Sequence, residues 1–449
     1  KQFTSSKLDI ATGLFNKGRA YYQLGNYKEA NTCYKEALDI RMNALGPDHL
    51  EVGNLYLNLG NIEYQQGNLS GAINLYKEAL EIRINAYGKV HSEVAICYNN
   101  IGNALSSQGK FKEAFEHHLK ALHIRLKVLG GVHLDLAISF NNLGSTYHRQ
   151  GNYKLALEYF QKALEIRKTL LGEFNLEVAV SYYNIGNSYY RQSNYTEALH
   201  YHNKAIEIRE KILKNNHPDL ASSYSNVGLI FHDQGNYNAA LEKHFKALKI
   251  RLEVLGEAHP DVAASYSFIG LVYHDQSKYE EALIFHEKSL MIRKAVLGPS
   301  HPDVAASLNN IGNVYNNKRN LKKALYYYNQ SLKIKLESLG ESHSSLAITY
   351  NNIANIYADE GNFEEALKCH EKALEIRKAV YGVNHPDVAE SHCNIGAVYH
   401  DQKKFREALK YYHKSLSLRI KVFGVNHPDV ADAYYNIGTV HRNLKNDKE

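Results

Sequence analysis

A glycine recurs every 42 residues along this chain of 449 residues, and an asparagine stands two residues before it in most copies. A fixed period between 20 and 50 residues is typical of solenoids, in which each unit packs only against its neighbours. The chain is therefore predicted to be a single domain, residues 1–449, with ten full repeats from about residue 11 and an eleventh first helix at about 430–445. These marker glycines are Gly18, Gly60, Gly102, Gly144, Gly186, Gly228, Gly270, Gly312, Gly396 and Gly438, with Ala354 in the ninth copy.

Each repeat has the pattern of two helices. In the fifth unit, Ala179 and Ile185 belong to an apolar stripe with helical spacing, which predicts a first helix, called helix A. A Ser-Asn pair, in the place where other units have Gly-Asn, predicts a turn. His202 and Ala205 then belong to a second stripe, which predicts helix B. The fold class is accordingly predicted as all-α, a row of antiparallel helix pairs.

The ends of helix B and the starts of helix A also carry signals. Glycine favours a helix C-terminus because it enters positive φ without a Cβ penalty. A His-Pro-Asp motif follows in five units, with the proline suited to the first helical turn and the acid to the positive helix end. The predicted stops are Gly46, Gly88, Gly130, Gly172, Gly256, Gly298, Gly340, Gly382 and Gly424, with Lys214 as the exception, and the motif begins at His217, His259, His301, His385 and His427.

These features together resemble the tetratricopeptide repeat family. The small residue in helix A (Gly144), the aromatic near its end (Tyr147) and the alanine in helix B (Ala156) stand where that family keeps the two helices close. The unit of 42 residues, rather than the usual 34, is similar to the extended repeats of kinesin light chain and nephrocystin-like proteins. The resemblance implies a right-handed superhelix whose concave wall, made by A helices, holds extended peptides of partner proteins.

Composition narrows the function further. The net charge of +6 comes from 53 basic and 47 acidic residues that are mixed in every repeat, so a nucleic-acid partner is not expected. No apolar run approaches the roughly 20 residues that span a bilayer, so membrane insertion is not expected. The four cysteines form no close pair, which favours a reduced, cytoplasmic protein. The chain begins without methionine or a signal-peptide pattern, and we expect a segment of a longer polypeptide.

The asparagine before the marker glycine is the leading candidate for ligand binding. It lies about 160° around helix A from the apolar stripe, and its amide offers donors and an acceptor for an extended peptide backbone. Kinesin light chain and related arrays place asparagines at the matching position against bound peptide. The alternative is an amide that bonds to a neighbouring A helix and only sets the pitch. This asparagine ladder comprises Asn58, Asn100, Asn142, Asn184, Asn226, Asn310, Asn352, Asn394 and Asn436, with Asn16 ahead of it and Phe268 as the interruption.

Charged residues near the end of helix A differ between the two halves of the chain. The first half has Arg149 and Arg191, whereas the second half has Asp233 and Asp275. This gradient predicts a peptide ligand whose acidic end points toward the first half. The alternative is a solvated face whose single charges contribute little.

A basic residue on the inward stripe of helix B is followed ten positions later by an acid in nine repeats, as in Arg167 and Glu177. The one repeat without this arginine, which has Lys335, also lacks the acid and has Ser345. The coincidence predicts a structural ion pair across the connection from helix B to the next helix A.

The 24 histidines do not indicate a metal site, because ligands on successive repeats lie about 10 Å apart. The histidines of helix B, such as His202, are predicted to be core aromatics with a hydrogen-bonding edge. No catalytic or phosphate-loop motif occurs. We therefore expect neither an enzyme nor a cofactor, but a scaffold for a partner peptide. The alternatives are the sensor arm of a larger signalling NTPase and an architectural spacer without a ligand; the oligomeric state is left open.

Overall fold

The computed structural model describes residues 2–213, 216–341, 343–425 and 428–446. Those ranges contain 21 α-helices and no strand, as the sequence predicts. Lys214 and His427, predicted as an altered helix stop and a loop histidine, lie outside them. The A helices are α1 (Gln2–Gln23), α3 (Leu50–Gln65), α5 (Ser92–Ser107), α7 (Leu134–Gln150), α9 (Leu176–Arg191), α11 (Pro218–Asp233), α13 (Pro260–Asp275), α15 (Pro302–Asn317), α17 (Ser344–Asp359), α19 (Pro386–Asp401) and α21 (Pro428–Asn446). The B helices are α2 (Tyr27–Leu45), α4 (Leu69–Tyr87), α6 (Phe111–Leu129), α8 (Tyr153–Leu171), α10 (Tyr195–Ile212), α12 (Tyr237–Leu255), α14 (Tyr279–Leu297), α16 (Leu321–Leu339), α18 (Phe363–Tyr381) and α20 (Phe405–Phe423).

The chain divides into two compact units, residues 1–215 and 216–449. The first unit contains α1 to α10, which form five hairpins, and the second contains α11 to α21, which form five hairpins and a final A helix. Within each unit, every helix packs against its neighbours in sequence. The single continuous domain and its right-handed superhelix stay predictions.

The marker glycine is the point of closest approach within a hairpin. A Cβ atom added to Gly144 would lie 2.7 Å from the ring of Phe160 and 3.2 Å from the carbonyl oxygen of Ala156. Gly186 meets the ring of His202 in the same way, at 2.9 Å. Because contacts below about 3 Å are strongly repulsive, a larger residue at Gly144 or Gly186 would force the ring or the helices to shift. The 42-residue period of glycine is therefore the period of these contacts.

Helix B ends on glycine as predicted. Gly256 has φ 76° and ψ 171°, a conformation that only glycine adopts without strain, and its N–H donates to the carbonyl of Leu252 at 3.2 Å. The turn between helices A and B also needs a positive φ. Glycine supplies it at Gly151, whereas Ser277 adopts φ 61° in its repeat.

The loop histidine before helix A caps that helix, a role the sequence did not suggest. The Nδ1 atom of His259 accepts a hydrogen bond from the backbone N–H of Asp261 at 3.1 Å, and Pro260 occupies the first helical position. Asn175 makes the equivalent bond to Glu177 at 2.9 Å in its repeat. Since asparagine is a common N-cap residue, its presence at this position was the signal that could have revealed the cap.

Candidate peptide-binding surface

The asparagine ladder lies on the A helices, at half-buried positions throughout the described chain. Within each unit, successive A helices meet at one face, and the ladder side chains lie on that face. Asn142 donates its Nδ2 to Asn99 Oδ1 at 2.8 Å, and Asn184 donates to Asn141 Oδ1 at 2.9 Å. Both acceptors stand 43 residues earlier, on the preceding A helix. These amides therefore tie neighbouring repeats together.

The same bond continues in the second unit with other acceptors. Asn310 donates to the hydroxyl of Ser267 at 3.2 Å, and Asn436 donates to the sulfur of Cys393 at 3.4 Å. Asn352 lies within 3.5 Å of the Oδ1 atom of Asn309. Each contact uses one of the two amide hydrogens, so the second hydrogen and the carbonyl oxygen take no part in it.

Two ladder residues in the first unit face no such acceptor. The residue 43 positions before Asn100 is Leu57, and the one before Asn58 is Phe15, neither of which has a polar side-chain group. Asn58 instead donates to the carbonyl of Asn54 in its own helix, at 2.7 Å. These two amides are not committed to the preceding A helix.

Asn226 and Asn394 occupy the same half-buried position on α11 and α19. The residue 43 positions before Asn394 is Asn351, whose Oδ1 lies 2.9 Å from His370 Nδ1. At the interruption, the ring of Phe268 stacks on His244 at 5.5 Å between centroids. An aromatic contact with the core takes the place of the amide there.

The predicted groove charges lie at the C-terminal ends of the A helices. Arg149 and Arg191 are both exposed, and Arg149 donates to the hydroxyl of Ser107 at 2.6 Å. Within the described residues of the first unit, no carboxylate lies within ion-pair distance of either guanidinium. Burial first, and then the positive charges of Arg191 and Arg149, lower the pKa of His148.

The acidic counterparts in the second unit are engaged by histidines. Asp275 accepts from His232 Nε2 at 2.8 Å and from His274 Nδ1 at 2.9 Å. Asp233 lies 3.6 Å from His232 Nδ1. Asp275, one of the acids expected to face a ligand, therefore also joins α11 to α13 through its hydrogen bond with His232.

The arginine of helix B forms the predicted ion pair in the repeats that have glutamate. Arg41, Arg83 and Arg167 lie 3.0, 2.8 and 2.9 Å from the carboxylates of Glu51, Glu93 and Glu177. In four repeats with aspartate, the arginine bonds to the backbone carbonyl of that aspartate. The donors are the Nη1 atoms of Arg125, Arg293, Arg377 and Arg419. Arg377 forms its ion pair with Glu390 instead.

Lys335 corrects the explanation of its repeat. It donates to the carbonyl of Ser345 at 3.1 Å and to the hydroxyl of Thr349 at 2.7 Å. Arg167 makes the same two bonds, to the carbonyl of Glu177 and the hydroxyl of Ser181. The carbonyl and the hydroxyl are therefore acceptors in both repeats, whereas a carboxylate takes part in only one of them.

The histidines of helix B are buried core aromatics, as predicted, but the predicted hydrogen-bonding edge is wrong for four of them. Neither ring nitrogen of His118, His202, His244 or His286 has a hydrogen-bond partner. His370 is the exception, through its contact with Asn351. Burial lowers the pKa of each of these five side chains to about 4.

Among the described residues, no group of three or more histidine, cysteine, aspartate and glutamate side chains is close enough to hold a metal ion. None of the described helices combines the length and apolar character of a bilayer-crossing segment.

The helix pairs, their period and the marker glycine define a class, the α-solenoids built from helical hairpins. The chain belongs to the tetratricopeptide repeat family, whose model matches residues 9–85, 93–169, 177–253, 229–295, 261–337, 345–419 and 391–449. No curated protein sequence matches it.

Solved structures of similar fold come from several organisms. Aspartyl phosphate phosphatase F from Bacillus subtilis is 15% identical, with a TM-score of 0.54 over 84% of this chain and 95% of that one. BtubC (BKLC) from P. vanneervenii is 24% identical, with a TM-score of 0.45 over 51% of this chain and 91% of that one. A putative kinesin light chain with nearly identical TPR-like repeats from Podosopora anserina is 21% identical, with a TM-score of 0.40 over 46% and 98%. The likeness to aspartyl phosphate phosphatase F, at 15% identity, concerns the fold alone.

Proposed function

We propose that this protein is an interaction scaffold that holds an extended segment of a partner protein along the row of A helices. The observation that carries the proposal is the side-chain amide repeated on that face, with Asn58 and Asn100 not committed to a neighbouring A helix. Membership of the tetratricopeptide repeat family supports the general role. A cytoplasmic location is part of the proposal.

The spacing of the repeats suits an extended ligand. Neighbouring helices pack about 10 Å apart, and an extended chain advances about 3.3 Å per residue, so one amide per repeat matches every third peptide residue. A side-chain amide both donates and accepts, so it can bond to backbone groups without reading side chains. Recognition of sequence then falls to flanking groups such as Arg149 and Arg191, which favour an acidic segment of the ligand.

The bonds between A helices divide the ladder into two classes. Asn142 and Asn184 use one hydrogen to join repeats, so their first role is to fix the distance between neighbouring A helices. Asn58 and Asn100 make no such bond, although Asn58 donates within its own helix, so a ligand can engage them without breaking a bond between repeats. We place the strongest backbone contacts at these two residues.

The amide bonds between repeats also favour a second candidate, an architectural spacer whose ladder serves stacking alone. A sensor arm of a larger signalling NTPase would use the same surface, and the sequence outside residues 1–449 would decide between that role and a free scaffold.

The proposal is tested with a displayed library of random peptides, selected on the protein and measured by fluorescence anisotropy. A selected acidic peptide should bind the parent, and Asn58→Ala with Asn100→Ala should weaken it at least about tenfold, because hydrogen bonds to the ligand are lost. The matched variant Asn142→Ala with Asn184→Ala should lower the melting temperature more and peptide affinity less. If no peptide is enriched, the spacer is the correct description. If a selected peptide binds the parent and the Asn58→Ala with Asn100→Ala variant equally, the proposed role of these two asparagines is wrong.

A further inference from the structure

A basic cleft lies in the second unit where α18, α19 and α20 meet, and the asparagine ladder takes no part in it. Its volume is about 710 Å³, and Lys378, His392, Lys410, His413 and Lys414 line it. None of the described residues that line the cleft carries a carboxylate. Within the described residues, none of the three lysines forms an ion pair with a carboxylate. The cleft thus combines three cations without an internal counter-ion.

His392 places a polar atom in the wall of this cleft. It stands where most other repeats have tyrosine, it is 7% exposed, and its Nδ1 atom has no hydrogen-bond partner. Burial first, and then the charges of Lys378 and Lys414, lower the pKa of His392 to about 4. The ring is therefore neutral at pH 7 and can donate one hydrogen bond.

The equivalent place five repeats earlier shows what such a cleft accepts. Positions 210 residues apart, which is five periods of 42, are equivalent in the repeat. Lys378 therefore corresponds to Lys168, and His392 corresponds to Tyr182. In that earlier repeat the carboxylate of Glu173 lies between the two, 2.6 Å from Lys168 Nζ and 2.5 Å from the Tyr182 hydroxyl. The loop between helices B and A thus provides an anion that occupies the position.

The later repeat has lost this anion and gained positive charge. The residue equivalent to Glu173 is Val383, and Ser417 replaces Glu207. Lys414 keeps the place of Lys204, whose charge acts on Glu173. Lys410 and His413 add to it, where the earlier repeat has His200 and Asn203. An anion from outside the chain would therefore take the position that Glu173 occupies in the earlier repeat.

We propose that the cleft binds a phosphate group in the position that Glu173 occupies in the earlier repeat. One carboxylate balances the two lysines there, whereas three lysines line the later cleft, which suits an anion with more charge and more acceptor oxygens. The neutral His392 ring and the lysine ammonium groups are the donors. Lys414 is held in place by the ring of Tyr411, 4.9 Å below its Nζ atom.

This site is separate from the surface proposed for peptide binding. His392 precedes the ladder residue Asn394 by two positions, so the two side chains point about 200° apart around α19. A phosphate could therefore bind in the cleft while a partner segment occupies the A helices. The group could be carried by a small molecule or by a phosphorylated side chain of a peptide.

The test is isothermal titration of the whole chain, at low ionic strength, with inorganic pyrophosphate and separately with a phosphoserine peptide and its unphosphorylated form. Val383→Glu copies Glu173 into the cleft and should weaken binding at least about tenfold, since the new carboxylate competes for the same lysines. Val425→Glu adds the same charge at the equivalent loop position of the next repeat and should bind as the parent does. Glu173→Val should open a second site and raise the stoichiometry from one toward two.

Binding of pyrophosphate that Val383→Glu blocks and Val425→Glu spares supports a small-molecule ligand. The same pattern with the phosphoserine peptide alone supports a phosphorylated partner. If neither ligand binds the parent, or if Val383→Glu and Val425→Glu reduce binding equally, the proposal is wrong. Circular dichroism melting of each variant identifies a loss of binding that comes from unfolding.

Discussion

The Arg167 guanidinium donates to the Ser181 hydroxyl at 2.7 Å, across the connection between α8 and α9. The same group donates to the carbonyl of Glu177 and forms an ion pair with its carboxylate at 2.9 Å. Arg167 is buried, whereas the Glu177 side chain is 57% exposed. The buried half of this arrangement therefore joins one hairpin to the next, and the ion pair lies at its edge.

Replacement of Arg167 by leucine should lower the free energy of unfolding by about 2 to 4 kcal/mol, since a buried hydroxyl and a carbonyl lose their donor. Urea denaturation measures the loss, and amide exchange should show it in α8 and α9. Glu177→Gln is the matched control and should cost less than about 1 kcal/mol, because an exposed ion pair contributes little. Equal losses in the two variants would show that the carboxylate is the essential partner.

The marker glycine gives a second prediction. Gly144→Ala should destabilise the protein by about 1 to 3 kcal/mol, because the new methyl group overlaps the ring of Phe160 and approaches the Ala156 carbonyl. Gly438→Ala should instead be neutral or stabilising by up to about 1 kcal/mol, since nothing lies within 4 Å of its Cβ position and alanine favours a helix. Thermal melting of both variants checks the pair. A destabilised Gly438→Ala would mean that the glycine has a role other than close packing.

The turn between helices A and B gives a third prediction. Ser277 adopts φ 61°, a left-handed conformation that costs a residue with a Cβ atom about 1 kcal/mol or more. Ser277→Gly should therefore stabilise the protein by several tenths of a kcal/mol to about 1 kcal/mol, reduced by the extra freedom of glycine in the unfolded chain. The reverse change, Gly235→Ser at the equivalent turn with φ 73°, should destabilise by a similar amount. Melting temperatures that move in the same direction for both variants would contradict this explanation.

Most of the fold was predictable because the signals are local and occur ten times. The 42-residue period, the stop at Gly256 and the proline at Pro260 each depend on a few neighbouring residues, and the structure has the predicted helices there. The eleventh A helix was predicted at about 430–445, and α21 spans Pro428–Asn446. The division into two compact units is not visible in the repeat pattern.

The hydrogen bonds of the candidate site were harder to predict, because they depend on how neighbouring A helices align. Asn184 is identified easily, but its acceptor Asn141 stands 43 residues earlier, and no local pattern sets that alignment. Once it is known, Leu57 explains why Asn100 differs from Asn184. The bonds of Lys335 were not predicted, because one of its acceptors is a backbone carbonyl, which every residue has.

Acid should unfold this protein through its core histidines. The pKa of His202 is lowered from 6.5 to about 4, chiefly by burial, so the unfolded chain takes up a proton that the folded chain does not. The stabilisation of the neutral ring is complete above pH 6.5 and is lost as the pH falls toward 4. At pH 5, each such histidine therefore lowers the free energy of unfolding by about 2 kcal/mol relative to neutral pH, because the unfolded chain binds the proton. His118, His244, His286 and His370 have pKa values lowered to about 4 in the same way.

His202→Phe isolates the contribution of one ring, since Phe160 already occupies the equivalent position against Gly144. The variant should melt close to the parent at pH 7.5 and should be more stable than the parent by about 2 kcal/mol at pH 5, because phenylalanine takes up no proton. Urea denaturation at a series of pH values from 7.5 to 5 measures this difference. His200→Phe, at an exposed position of the same helix, is the control for the histidine-to-phenylalanine change itself. If the parent and His202→Phe lose stability in parallel as the pH falls, protonation of the buried ring does not drive the acid transition.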